Sequence, residues 1–494
     1  MTFHWVDLLI VVAYLVAITI FGAHFGRRQH TLHDYFLGGR RLPWWAIALS
    51  VVSAETSILT IISTPGIAYR SNMAFLQLVL GYLVARVVVS FLLLPRYFAG
   101  ELYTAYQLID RRFGPSLKIF TAGLFLSSRA LAEGVRVFAI SIVIGVIFKT
   151  GVLTSVMIIT ALTLFYTFEG GLTAVIWTDV IQLMIYLSGT VLALALALHS
   201  IPGGWHEVAT LAQAEGGKLA VFNFHFNWHD PYLFWSGVVG GTFLTSASHG
   251  TDQLIVQRLL AARNLRQSQA ALLSSGLVIL FQFTLFLVIG VVLFAYYRHF
   301  PPAIPFDRPD RIFPAFVATE LPRGLAGLLI AAILAAAMSN LSAAFNSLAS
   351  SSVVDFYKPF VRPSADEHHY LRVSRGMTLV WGAVLMLIAL IAQYLHQSVL
   401  ELALTIASVP YGAMLGIFLL GVLTKRATER GALTGAVLGL VTLCVVLVGN
   451  SLKMFSLAWT WYVAIGATVT FVGGLLASGI SKSETRKPKL ENGN

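Results

Sequence analysis

Long apolar runs divide the chain into segments of membrane-spanning length, and polar residues gather between them. A helix needs about 20 mainly apolar residues to cross roughly 30 Å of hydrocarbon. Thirteen segments meet this requirement: 6–26, 44–69, 73–95, 117–148, 151–168, 172–200, 232–250, 268–297, 323–352, 374–395, 400–423, 431–449 and 456–479. The pattern predicts an all-α polytopic membrane protein with 13 transmembrane helices, whose odd number places the termini on opposite sides.

The composition supports a membrane protein. Hydrophobic residues make up 57% of the 494 positions and charged residues only 11%, against about 25% charged residues in soluble chains. Cys444 is the single cysteine, so an intramolecular disulfide and a cysteine-based metal site are excluded. The first run, 6–26, has no lysine or arginine before it and is followed by Arg27 and Arg28. We therefore expect a retained span in a multi-pass protein of the inner (plasma) membrane, not a cleaved signal.

Basic residues are unevenly distributed between alternate loops. One set of loops, which includes Arg258, holds 22 lysines and arginines, and the other set holds 8. Cytoplasmic loops carry the excess of Lys and Arg, so the N-terminus is predicted outside and the C-terminus in the cytoplasm. The net charge of +11 is thus explained by topology, and no nucleic-acid partner is expected.

A few charged residues lie inside the predicted spans, where burying a charge costs at least about 2.5 kcal/mol. They are Glu55, Arg86, Arg129, Glu133, Arg136 and Asp179. Arg129, Glu133 and Arg136 follow one another at helical spacing and share one face. Two interpretations are open: ion pairs to Glu55 or Asp179 that hold the helices together, or contact between an arginine and a substrate carboxylate.

Two predicted spans are interrupted by polar residues. Segment 44–69 contains SAETS followed by Pro65 and Gly66, and segment 232–250 ends in the polar run TSASHGTDQ at 245–253. Paired broken helices are typical of secondary transporters built from inverted repeats, which bind their substrate at the membrane midplane. The sequence contains no HExxH, P-loop or GxSxG motif, so an enzyme is not expected.

Six runs in order along the chain resemble the sodium/solute symporter family. They are DYFLGGRRLPWWAIALS, STPGIAYR, GGLTAVIWTDVIQ, TDQLIVQRLL, SNLSAAFNSLASSSVVDFY and GIFLLGVLTKRATERGALTG. The resemblance implies a LeuT-like five-plus-five inverted repeat within a single transporter domain, 1–494. Its parts are a leading helix 6–26, a first repeat 44–200, a second repeat 232–423, two accessory helices 431–479 and a cytoplasmic tail 480–494.

The resemblance also implies where ions and substrate bind. A sodium site is placed at Ser53, Thr56, Ala336, Ser339 and Asn340, where Asn340 replaces the family's usual Ser or Thr. A second sodium site retains Asp179 and Ser342 but has Ala343 in place of a hydroxyl. The implied substrate positions are Glu55, Thr60, Gln77, Arg129, Glu133, Arg136, Ser248 and His249, with Arg129 as the preferred carboxylate contact.

The predicted function is sodium-coupled import of a small organic solute, a carboxylate-bearing anion or zwitterion, by alternating access. The alternative is a proton-coupled or sodium-independent carrier of a neutral solute such as a sugar or polyol. The expected partners are the solute, sodium and the lipid bilayer, and no obligate protein partner is evident.

Overall fold

The computed structural model describes residues 5–26, 38–56, 58–99, 102, 104–148, 150–167, 171–302, 306, 309–394 and 399–485. Over these ranges the chain is helical, and its one β-bridge joins Leu42 to Ala262. The helices are α1 (Trp5–Gly26), α2 (Trp44–Glu55), α3 (Ile58–Arg70), α4 (Leu76–Phe98), α5 (Tyr106–Phe113), α6 (Pro115–Phe148), α7 (Val152–Thr167), α8 (Gly171–Ser200), α9 (Gly204–Ala214), α10 (Phe234–Gly250), α11 (Gln253–Leu260), α12 (Leu265–His299), α13 (Ile312–Glu320), α14 (Leu325–Ser351), α15 (Glu367–Ala392), α16 (Val399–Leu423), α17 (Glu429–Ser451) and α18 (Tyr462–Thr485).

Each of the thirteen predicted segments coincides with one helix or with a broken pair. Eight helices of the described chain are long and apolar enough to cross a membrane, and the bent pair α2–α3 makes a ninth. The apolar parts of α1 and α7 are shorter. The structure thus confirms an all-helical polytopic protein, while the count of 13 spans and the orientation of the termini stay predictions.

The first interruption lies in the SAETS part of the predicted stretch and not at Pro65. The chain bends by 65° between α2 and α3, next to Thr56, and Pro65 lies inside α3. The role of Gly66 is close packing, because a Cβ atom there would lie 2.6 Å from the carbonyl oxygen of Pro309. The second interruption is where the sequence places it, at Thr251 and Asp252 between α10 and α11.

The two breaks lie in the middle of the helix bundle. Helix α12 packs against both α2 and α3, and α10 packs against α4, while α6 lies against α15 and α16. Helix α1 packs on α14 and α8. There the Asp7 carboxylate accepts hydrogen bonds from the amides of Gly324 and Gly327, at 2.7 and 3.0 Å, at the start of α14. The leading helix α1 therefore caps the core helix α14. The negative charge of Asp7 also complements the positive end of the α14 dipole.

The accessory helices are tied to the core in a similar way. Helices α17 and α18 pack on each other, and α18 packs along α16. Glu429, at the start of α17, accepts hydrogen bonds from the backbone amides of Ser116 and Leu117, at 3.0 and 3.2 Å. These amides belong to the first turn of α6, where no intrahelical acceptor exists. A side chain of an accessory helix thus caps the helix that carries the charged triad.

Close contact between α4 and α10 depends on small residues and leads to a stability prediction. A Cβ atom on Gly241 would lie 2.3 Å from the carbonyl oxygen of Leu78. We expect Gly241→Ala to destabilise the protein by about 1–3 kcal/mol, because the two backbones must move apart. Thermal unfolding of the purified protein measures this. Gly376→Ala is the control, because nothing lies within 4 Å of that position; equal unfolding temperatures for both variants would contradict the prediction.

Candidate functional site

A cavity of about 130 Å³ lies between the two breaks. At roughly 10–15 Å³ for each water molecule, this space suits a small organic molecule. Its polar lining includes Glu55, Thr60, Arg129, Arg136, Thr245, Ser248, His249 and Asp252, and its aromatic lining consists of Phe75, Tyr82, Phe283 and Tyr411. Phe75 and Phe283 are stacked with their ring centres 5.3 Å apart. The cavity therefore combines flat apolar walls with converging polar groups, as small-molecule sites do.

Glu55, which lines the cavity, forms an ion pair with Arg86. The Arg86 side chain is 1% exposed, and its Nε donates to Ser275 at 3.0 Å. His249 Nε2 lies 3.4 Å from Arg86 Nη2 and 3.5 Å from the Glu55 carboxylate, while Ser248 Oγ lies 2.9 Å from His249 Nδ1. The predicted site residues Glu55, Ser248 and His249 thus form one hydrogen-bonded group with Arg86.

Arg129 and Arg136 of the triad on α6 also line the cavity, together with Asp252, an acid that the sequence does not predict as their partner. Arg129 lies 3.0 Å from Glu133 and 3.2 Å from Asp252, and Arg136 lies 2.6 Å from Glu133. Tyr411 donates to Asp252 at 2.6 Å. The expected bridge from the triad to Glu55 or Asp179 is therefore wrong, because Asp252 at the break of α10–α11 is the partner and Asp179 pairs elsewhere.

Exposure distinguishes the two arginines of the triad. The Arg129 side chain is 7% exposed and is bound by two carboxylates, whereas that of Arg136 is 20% exposed. Within the described residues, Arg136 has a hydrogen bond from Nη1 to Glu133, and Arg129 contacts the same oxygen of Glu133. A guanidinium has five N–H donors in a planar fork. Arg136 lines the cavity and has further N–H donors besides the Nη1 group that is bonded to Glu133.

The predicted sodium site brings α2 and α14 together. The side-chain Nδ2 of Asn340 donates to the backbone oxygens of Ser53 and Thr56, at 3.2 and 3.0 Å. Within the described residues, Asn340 Oδ1 and Ser53 Oγ are buried without a hydrogen-bond partner. Ala336 on α14 is 2% exposed. Ser339 lies in α14, but its side chain is outside the described part of the structure.

The residues of the predicted second sodium site are fully buried, and the carboxylate is engaged. Asp179 accepts hydrogen bonds from Ser50 at 2.5 Å and from Arg258 at 3.1 Å. Ser342 is 2% exposed. Arg258, counted above as a loop residue, has a side chain only 2% exposed. The structure thus corrects the assignment of Arg258, which is a buried partner of Asp179 and not a topology signal.

Gln77 and Glu133 are the two predicted substrate residues that do not line the cavity, and Gln77 is bonded elsewhere. It lies in α4, is fully buried, and is absent from the cavity lining. Its Nε2 donates to the backbone oxygen of Tyr232 at 2.8 Å, and its Oε1 accepts from the amide of Asn223 at 2.9 Å. In this structure Gln77 therefore holds the segment before α10 against α4.

A lysine of the same region fixes the end of α3. Lys218 Nζ donates to the backbone oxygens of Tyr69 and Ser71, at 2.8 and 3.2 Å, and lies 4.3 Å from the ring centre of Phe294. Burial lowers the pKa of the Lys218 ammonium, and the carboxylate of Glu215 partly opposes this. The contacts join α3, α12 and the segment after α9 on one side of the bundle.

Several lining residues carried no clear signal in the sequence. The aromatic residues Phe75, Tyr82 and Phe283 lie in mainly apolar runs, where a residue of a cavity wall and a lipid-facing residue look alike. Tyr411 has a usable signal, since it follows Pro410 inside a span. Asp252 was visible as the charge after the second break, but its contact with Arg129 spans 123 positions.

Comparison with known proteins identifies the family. The model described as Sodium:solute symporter family matches residues 35–439. The sodium/sialic acid symporter NanT of Aliivibrio fischeri is 29% identical over 491 residues, covering 97% of this chain and 94% of that protein. The human Sodium/iodide cotransporter is 29% identical over 435 residues, covering 86% of this chain and 66% of that protein. The human Sodium-coupled monocarboxylate transporter 1 is 29% identical over 427 residues, covering 86% of this chain and 69% of that protein.

Solved structures show the same architecture. The substrate-bound outward-open state of a Na+-coupled sialic acid symporter shares 27% identity and superposes with a TM-score of 0.86, covering 97% of this chain and 98% of that chain. MHP1, a nucleobase-cation-symport-1 family transporter, is 13% identical and superposes with a TM-score of 0.57 over 91% of this chain and 94% of its own. The second comparison bears on the fold alone.

Proposed function

Because the chain belongs to the sodium:solute symporter family, we propose that it is a sodium-coupled symporter which imports a small organic solute bearing a carboxylate. Sodium is its coupling ion, and it is a multi-pass protein of the plasma membrane.

The observation that carries the carboxylate is the position of Arg136. Its guanidinium is the more exposed of the two in the triad, and it shares its carboxylate partner with Arg129. A carboxylate in the cavity would accept two parallel N–H bonds from the fork, and such charged bonds are about twice as strong as neutral ones. Relatives named for sialic acid and monocarboxylates carry acids of this kind. Arg129, bound by Glu133 and Asp252, has the role of positioning Arg136 through the shared Glu133.

The remaining lining groups suit the rest of such a solute. Thr60 and Ser248 offer hydroxyls, and the stacked pair Phe75 and Phe283 offers flat apolar surface. Glu55 and His249 also line the cavity. There the Glu55 carboxylate accepts hydrogen bonds from polar groups of the solute, and His249 accepts or donates them. The two helix breaks border this cavity, as expected for alternating access between two inverted repeats, 44–200 and 232–423.

A neutral solute is the second candidate, and the charge balance of the site favours it. Around the cavity Arg86, Arg129 and Arg136 face Glu55, Glu133 and Asp252, so three cations meet three anions. A site with no net charge does not require an anion. A polyol or sugar would then bind through the hydroxyls, His249 and the aromatic walls.

Substituting Arg136 decides between these solutes. In a thermal-shift and binding screen with sodium present, sialic acid and short monocarboxylates are compared with their amides and with neutral sugars. We expect Arg136→Gln to weaken binding of the best carboxylate about 10- to 100-fold, since hydrogen bonds to charged groups contribute about 1.5–3 kcal/mol. Arg136→Lys should recover only part, because an ammonium lacks the fork.

The exposed Arg298, whose side chain is 55% exposed, provides the control. Arg298→Gln should leave solute affinity unchanged. If Arg136→Gln also binds the carboxylate as tightly as wild type, or if the best ligand of wild type is a neutral sugar, the carboxylate proposal is wrong and the triad is an ion-pair network that holds helices together.

A further inference from the structure

The Asn340 side chain is bonded to the oxygens that a sodium ion would use. Its NH2 group bridges the carbonyls of Ser53 and Thr56, at 3.2 and 3.0 Å. Both acceptors are backbone oxygens, so only the NH2 end of the amide can face them. Helix α2 ends at Glu55, and the carbonyls of a last helical turn lack intrahelical partners. The amide therefore satisfies acceptors that the helix break leaves available.

A sodium ion and an amide NH2 group both prefer the same partners at this position, the two backbone carbonyl oxygens. A hard cation is bound by carbonyl and hydroxyl oxygens, and the N–H groups of an amide carry partial positive charge towards the same carbonyls. Both cannot lie between Ser53 and Thr56 at hydrogen-bonding distance. We infer that the Asn340 amide is a built-in competitor of sodium, which must turn away before the ion can bind; the inference rests on the proposed sodium site.

Two buried oxygens without partners in the described part of the chain, one in the amide and one beside it, are consistent with rotation of the Asn340 side chain. Asn340 is 3% exposed and Ser53 1% exposed, and within the described residues Asn340 Oδ1 and Ser53 Oγ have no hydrogen-bond partner. Rotation of the amide by half a turn exchanges Nδ2 and Oδ1. The exchange brings Oδ1 towards the two carbonyls, and these three oxygens are a set suited to a hard cation. The buried Ser53 Oγ belongs to the same residue as one of the carbonyls and is the candidate fourth ligand.

A small cavity next to Asn340 can hold a water molecule that connects the rotated amide to the triad. A cavity of about 10 Å³ is lined by Asn340, Glu133 and Arg136, among others, which is about the space of one water molecule. The turned NH2 group can donate through such a water towards the Glu133 carboxylate, which holds Arg136 at 2.6 Å. Sodium binding would then alter the hydrogen bonding of the arginine proposed to hold the solute.

Replacing the amide by a hydroxyl tests the competition. Asn340→Ser removes the competing NH2 group and supplies the oxygen that the family usually has. We expect the half-saturating sodium concentration to fall about tenfold, since two neutral hydrogen bonds no longer have to be broken. Asn340→Thr should act in the same direction and guards against a folding defect of one variant. Sodium titration of the purified protein, followed by tryptophan fluorescence without any solute, measures this.

A second asparagine supplies the matched control. Asn450 Nδ2 also reaches two oxygens, those of Leu457 and the Tyr462 hydroxyl, and Asn450→Ser should leave sodium affinity unchanged. Sodium affinity that is unchanged or weaker in both Asn340→Ser and Asn340→Thr overturns the inference, because the amide oxygen would then be an ordinary ligand. No sodium response in wild type would contradict the proposed sodium site itself, whereas a failed carboxylate screen would leave this titration unaffected.

Discussion

Transport of a monoanionic solute is expected to carry one sodium ion and no net charge. The reason is the state of Asp179, whose carboxylate is already bonded to Ser50 and Arg258. A sodium ion at this carboxylate would lie next to a buried guanidinium, and like charges in a low-dielectric interior repel strongly. Ala343, where the family has a hydroxyl, removes a further ligand. The second sodium site should therefore stay without an ion.

The number of sodium ions carried with each solute strongly affects how far the solute can be accumulated. With one sodium per monoanion the membrane potential does no work, and a tenfold sodium gradient supports about tenfold accumulation. Two ions would add about 1.4 kcal/mol from the gradient and about 2.3 kcal/mol from 100 mV, so that the limit becomes roughly 5000-fold. Proteoliposomes with a clamped potential separate these values. Solute-induced inward current, or accumulation that rises with the potential, would show that Asp179 and Ser342 hold a second ion.

The second large effect is expected on stability, from removing the charge of Glu55. Arg86 is 1% exposed, and Glu55 is its carboxylate partner. Breaking a buried ion pair from one side costs about 3–5 kcal/mol, because the other charge stays buried without compensation. Since Glu55 is 14% exposed, we expect Glu55→Gln to cost about 3 kcal/mol. Chemical or thermal unfolding in detergent, followed by near-ultraviolet circular dichroism, is the measurement.

Two further variants make this result specific. The double variant Glu55→Gln with Arg86→Met removes both charges, and we expect it to recover most of the stability. Glu215→Gln, which breaks the exposed pair with Arg298, should change stability by less than about 1 kcal/mol. A double variant as unstable as Glu55→Gln alone would mean that hydrogen bonding or packing of Glu55, and not charge pairing, is what stabilises the protein.

The helices could be predicted from sequence because the membrane imposes a length and an apolar composition on each span. Span length and composition do not show where a helix bends or which residues between spans are buried, and the predictions were wrong on these two details. The sequence predicts that Pro65 belongs to the interruption, but a proline is tolerated within a packed helix when neighbours satisfy the freed groups. The chain bends next to Thr56 instead. The sequence places Arg258 in a loop because it falls between the predicted spans 232–250 and 268–297. In the structure it lies in the short helix α11 and pairs with Asp179 in the interior.

The site was less predictable than the fold, since its geometry depends on contacts between distant positions. Spacing along α6 placed Arg129, Glu133 and Arg136 on one face, and the structure confirms their mutual pairing. Spacing carries no information on Asp252, which comes from another helix and balances the charge of Arg129. The exchange of a hydroxyl for Asn340 was visible in the sequence, but the direction in which its amide points was not.

The cap that Glu429 provides bears on how short a functional chain can be. A chain that stopped before α17 would keep every residue that lines the cavity, yet the amides of Ser116 and Leu117 would lose their acceptor. The loosened end belongs to the helix that carries Arg129 and Arg136, so truncation should weaken solute binding from a distance. The match to the family ends at residue 439, within α17, and the smallest working transporter should likewise include Glu429.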